Sequence, residues 1–121
     1  MKIIHFVFIL AAISTPTLAD AMSSGTLSQE TLYKNWLVSR CLGKATDSEN
    51  TRQDAFRSAS AYLEFSKLPM DAFDQGEELI NQYLKKNTQG SVKGSYNTME
   101  CLSLLQYKEA TGIFDKYSKI Q

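Results

Sequence analysis

The chain has 121 residues, and its 13 Lys plus Arg balance 13 Asp plus Glu to a formal net charge of zero, with one His and two Cys. That balance argues against nucleic acid or an anionic membrane surface as the principal partner. The one histidine is His5, so from there on the chain lacks the means for a Cys-His dyad, a Ser-His-Asp triad or a histidine-ligated metal.

Residues 1–21 read as a secretory signal peptide. Lys2 supplies the positive start, an almost unbroken apolar run covers 3–13, and small residues follow Pro16. Cleavage after Ala19 or Ala21 fits, because both choices place small side chains at the two recognition positions. The run is shorter than the roughly 20 apolar residues that span a bilayer, which favours a removed signal over a retained anchor. His5 would leave with it, and the remainder is expected to have no membrane association. Residues 22–121 make one domain by size. A domain of about 100 residues buries only some 60–65% of its unfolded surface, so a further covalent constraint matters.

Thr26 followed by Gln29 has the form of a capping box opening a first helix. Leu32, Tyr33, Trp36, Leu37 and Cys41 then recur at three- and four-residue spacing on one face, and Gly43 is the expected terminator. Asp47 or Ser48 caps a second helix, whose stripe is Ala55, Phe56, Ala59, Tyr62, Leu63 and Ser66, stopped by Pro69. These two helices are expected to pair as a hairpin. Asp71 starts a third helix with Phe73, Leu79, Ile80, Tyr83 and Leu84 facing inward and Lys85 and Lys86 at its negative end. Gly76 weakens this helix by about 1 kcal/mol relative to alanine, unless a neighbouring helix packs closely there. Residues 87–95, rich in Gly, Ser, Thr and Asn, read as a loop.

Asn97 and Glu100 form a second capping box, and Met99, Leu102 and Leu105, with Leu104, carry a fourth helix onward. Thr111 and Gly112 break it before a terminal turn holding Ile113, Phe114 and Tyr117. The expected fold class is all-α, a compact bundle of four main helices with a short C-terminal helical segment.

An exported chain meets an oxidising compartment, so Cys41 and Cys101 favour an intramolecular staple between the first and fourth helices. An intermolecular bridge and two free buried thiols are the alternatives. Asp71, Asp74, Glu77 and Glu78 lie on successive turns and read as a solvated face rather than a carboxylate catalytic site. Trp36, Tyr33, Tyr62 and Tyr83 read as core. The 90–95 loop admits two readings, a flexible connector or a small-residue backbone able to enter a narrow cleft with Lys93 and Tyr96 supplying contacts.

Residues 94–102 (GSYNTMECL) and 33–42 (YKNWLVSRCL), with AYL at 61–63, together resemble the type VI secretion amidase immunity proteins, periplasmic antidotes to peptidoglycan-cleaving amidase effectors. The likeness runs over essentially the whole of 22–121 and takes in the signal peptide and both cysteines. It implies a homodimeric periplasmic domain that binds its amidase effector as a protein inhibitor, with no enzyme activity of its own, no cofactor and no metal. In such proteins a loop between the third and fourth major helices blocks the effector's active-site cysteine and histidine. Carried onto this sequence, the inhibitory loop is Gly90, Ser91, Val92, Lys93, Gly94 and Ser95, flanked by Tyr96 and Asn97. Cys41 and Cys101 match the family's disulfide pair. The blocked enzyme would cut cell-wall peptide between D-glutamate and diaminopimelate. The competing reading is a small disulfide-stapled periplasmic stress chaperone or adaptor that binds protein clients through broad apolar surface.

Overall fold

In the computed structural model, helix α1, Gln29–Ala45, packs against every other helix of the described residues. The model describes residues 27–120 together with Ala12, so the proposed signal sequence and its cleavage point, His5 and Thr26 fall outside the described residues, Ala12 apart. Ser28, rather than Thr26, caps α1: its side chain accepts from the Thr31 amide at 3.1 Å. Gln29 is released for a longer-range task. Its amide nitrogen donates to the Phe65 carbonyl at 3.2 Å and its oxygen accepts from the Lys67 amide at 2.7 Å, tying down the chain that follows the second helix.

Leu32, Tyr33, Trp36, Leu37 and Cys41 form the buried stripe of α1 as their spacing predicts. Gly43 does not end the helix. It lies inside α1, where a Cβ would fall 2.4 Å from the Phe56 ring, so the glycine permits close approach of the second helix. Helix α2, Glu49–Glu64, is capped by Ser48, whose Oγ accepts from the Thr51 amide at 3.4 Å. It packs only on α1 among the described residues, burying Ala55 and Ala59. Small side chains at that contact suit the short separation. The Arg40 guanidinium covers the Phe56 ring from 4.4 Å, which leaves Phe56 half-buried at the seam. The helix ends before Pro69, and Ser66 belongs to the linker, where its Oγ accepts from the Leu68 amide at 3.2 Å.

Pro69 stands at the N-cap of α3, Met70–Leu84, which buries Ala72, Phe73, Gly76, Leu79, Ile80 and Tyr83. The centre of the core is aromatic. Phe73 meets Trp36 edge-on at 4.9 Å and Tyr33 at 5.6 Å, and Tyr33 stacks on Trp36 at 6.0 Å. The Tyr33 hydroxyl donates to the Ala72 carbonyl at 2.7 Å, and burial pushes its pKa well above the ordinary tyrosine value. The acidic run on α3 is not one solvated face. Asp71, Asp74 and Glu78 are exposed, but half-buried Glu77 takes Arg40 Nε on one oxygen and Lys44 Nζ at 2.5 Å on the other.

The last third departs furthest from expectation. Helix α4, Asn97–Ser103, is short and passes into a 3-10 turn at Leu104–Gln106; the chain then extends at Tyr107 and re-enters α5, Lys108–Ser118. The break falls at Tyr107, and Thr111 and Gly112 are interior to α5. At this extended residue the Tyr107 ring meets Tyr83 edge-on at 4.5 Å and its hydroxyl accepts from Lys86 Nζ at 2.8 Å. Nor does Asn97 cap α4; Tyr96 occupies the N-cap without a side-chain capping bond. The apolar residues of this segment divide between core and surface. Cys101 and Leu104 are fully buried, while Met99, Leu102 and Leu105 face solvent.

Every regular element among the described residues is helical, and a Cys41–Cys101 disulfide joins α1 to α4 across a Cα separation of 5.5 Å. Both sulfurs are fully buried, so the staple is part of the core. No helix of the described residues is long and apolar enough to cross a membrane.

Candidate functional site

Beyond the end of α3 at Leu84, Asn87 turns into the left-handed region at φ 48°, a conformation asparagine tolerates better than most residues. Residues 88–96 then run without regular structure until α4 begins. Two ties set where this loop starts and stops. At its start, Lys86 lies 4.0 Å from the Tyr83 ring centroid and 4.6 Å from that of Tyr107, and donates to the Tyr107 hydroxyl. That hydrogen bond to the cation holds the Tyr107 hydroxyl below the usual tyrosine pKa, whereas burial and then the neighbouring Tyr107 hydroxyl push Tyr83 up. At its end, Cys101 fixes α4 to α1, five residues after Tyr96.

Between these ties the loop has internal order. The Val92 amide donates to Tyr96 Oη at 3.1 Å, and the same hydroxyl donates to the Val92 carbonyl at 2.7 Å. Gly94 has φ +146°, a backbone conformation that favours glycine. Residues 90–95 are all exposed, with Val92 73% exposed, and Lys93 has no ion-pair or hydrogen-bond partner among the described residues. The structure therefore gathers Gly90, Val92 and Tyr96 into one cluster, sends Val92 and Lys93 to solvent, and makes Asn97 the first residue of α4.

The base of the loop borders an open groove of about 970 Å³ that the sequence did not reveal. Ser95, Tyr96, Met99 and Leu102 make one wall; Leu42 of α1 and Asp47, Asp54 and Ala55 around the start of α2 make the other. Met99 and Leu102, exposed apolar residues of α4, line this groove. No group of three or more His, Cys, Asp and Glu side chains among the described residues could hold a metal ion.

A stapled helical domain that holds out one shaped loop beside a shallow groove is the architecture of a protein-binding module. A family model for the type VI secretion system amidase immunity proteins, Tai4, matches residues 31–114, and the chain belongs to that family. Solved structures agree. A chain from the crystal structure of the complex between the effector Tae4 from Salmonella typhimurium and the immunity protein Tai4 from Enterobacter cloacae aligns with a TM-score of 0.69 at 31% identity, over 84% of this chain and 98% of that one. A chain of the Salmonella typhimurium Tae4/Tai4 effector–immunity system aligns at 0.73 with 27% identity, over 84% and 96%. A chain from a Serratia marcescens structure of type VI-secreted toxins and self-resistance proteins gives 0.73 at 20% identity, over 90% and 88%, a likeness of fold alone. No curated protein matches the chain.

Proposed function

We propose that this chain protects the cell that makes it by binding a peptidoglycan amidase effector in the periplasm and closing the effector's active site with residues 90–95. One observation supports this above all. A member of the amidase immunity family displays a narrow, glycine-lined, fully exposed loop tied at both ends to the core. Small side chains let backbone enter a cleft, and a loop already ordered loses less entropy on entering it. Occlusion of this kind needs no reactive group. The Tae4 chains solved with Tai4 relatives support an amidase as the partner.

The periplasm follows from the signal-like residues 1–21 and from where cell-wall peptide lies. A homodimer belongs to the same proposal, and the exposed Met99, Leu102 and Leu105 face offers apolar surface for it.

The decisive experiment replaces residues 90–95 with a shorter Gly-Ser linker and measures inhibition of the amidase on purified cell wall. Inhibition should fall at least about a hundredfold, the loss typical of removing a central contact cluster, while far-UV helicity stays unchanged. Undiminished inhibition would place the contact surface elsewhere on the molecule.

A further inference from the structure

Glycine and serine give a loop freedom, and a free loop must be ordered each time it binds. This loop is built around a post. Gly90 lies against the Tyr96 ring so closely that a Cβ there would sit 2.3 Å from both Cζ and Oη and 2.6 Å from Cε1, a contact that only glycine permits. On the other side, the Tyr96 hydroxyl occupies both main-chain polar groups of Val92. Gly94 serves a separate purpose: nothing lies within 4 Å of its missing Cβ, so its glycine answers to the positive φ alone. Gly90 and Val92 are thus both held against the one tyrosine.

The post itself has a footing. The Tyr96 carbonyl accepts from the Glu100 amide at 3.1 Å to open α4, and Cys101 bonds that helix to α1.

We propose that Tyr96 is the positioning residue of the partner-binding loop: its hydroxyl clasps Val92, and its ring backs Gly90, so that the free protein presents the Val92–Lys93 tip already shaped for a cleft. The proposal rests on the reading that this loop enters the amidase, and adds how its shape is kept.

Y96F isolates the clasp, because the ring stays and only the hydroxyl is lost. In the free, oxidised, full chain, the Val92 amide should exchange with solvent at least about fivefold faster in Y96F, while the Leu37 and Cys41 amides of α1 exchange as in wild type. The melting temperature should stay within about 2 °C, since the clasp is solvent-exposed. Against Tae4 from Salmonella typhimurium and Enterobacter cloacae and any amidase encoded beside this chain, the Y96F Kd should rise about three- to tenfold. An unchanged Val92 exchange rate in Y96F overturns the proposal. So does faster exchange with wild-type Kd, if the protein lacking residues 90–95 has lost binding. If that protein still binds, or wild type binds none of the amidases, the loop reading fails, and the Val92 exchange rate shows separately whether the clasp exists.

Discussion

Two glycines inside helices carry opposite expectations. A Cβ at Gly76 would lie 2.6 Å from Trp36 Cζ3 and 2.9 Å from both Leu37 Cδ2 and Tyr33 Oη, in the most densely aromatic part of the core. Alanine favours a helix interior by about 1 kcal/mol over glycine, but overpacking a rigid core typically costs about 1–3 kcal/mol, so G76A should destabilise by up to about 2 kcal/mol net. Gly112 is exposed on α5 with nothing within 4 Å of its missing Cβ. G112A should therefore stabilise by about 0.5–1 kcal/mol. Urea midpoints moving in the same direction for both variants would contradict this account. Gly43 resembles Gly76 in kind, since α2 approaches α1 across it through Phe56.

At the level of elements, Glu77 ties α3 to α1 through Arg40 and Lys44. Partial burial raises its pKa, but the hydrogen bonds from the two cations outweigh that and hold the carboxyl below its ordinary value of 4.5. A depressed carboxylate pKa contributes stability above the unfolded value and loses it as pH falls through the folded one. E77Q should therefore cost about 0.5–1 kcal/mol at pH 7, and the gap to wild type should close progressively below pH 4.5. Urea titrations at pH 7 and pH 3 that show the same gap would remove the ion pair as its cause. Helices α1 to α3 were legible because their apolar residues recur at three- and four-residue spacing and their buried faces are mostly hydrophobic. Helix α4 was not. It turns Glu100 and Cys101 inward, followed by Leu104 of the 3-10 turn, while Met99 and Leu102 line the groove. The spacing of Met99, Leu102 and Leu105 is helical on either face, and only tertiary packing decides which face turns in. Thr111 and Gly112 looked like a break because propensity favours one there, yet the chain extends earlier, at Tyr107, where the ring packs on Tyr83 and the hydroxyl meets Lys86. The loop's position was legible from its small polar residues, and its attachment to α4 from Cys101. The Tyr96 clasp was hidden, since a hydroxyl reaching irregular backbone leaves no periodic trace. The groove was hidden too, because α1, α2 and the loop base meet there from distant parts of the chain.

For the whole molecule, α1 is the common support and the disulfide is its link to the C-terminal third. Cys41 and Cys101 are 60 residues apart, so in the chain-entropy account their bond stabilises the native state by about 4 kcal/mol. The C41S/C101S protein should lose about that much in urea denaturation, a large share of the 5–15 kcal/mol typical of a domain. It should also exchange its Val92 amide faster, because α4 no longer anchors the Tyr96 post. A double variant with an unchanged urea midpoint would show that the crosslink constrains nothing in the unfolded chain. With only two thiols, there is a single way for the chain to oxidise within itself. No scrambled isomer exists to compete with the native one, so maturation calls for an oxidant but not for an isomerase. Mispairing can happen only between molecules, which makes crowding during synthesis, rather than reshuffling, the hazard to its yield.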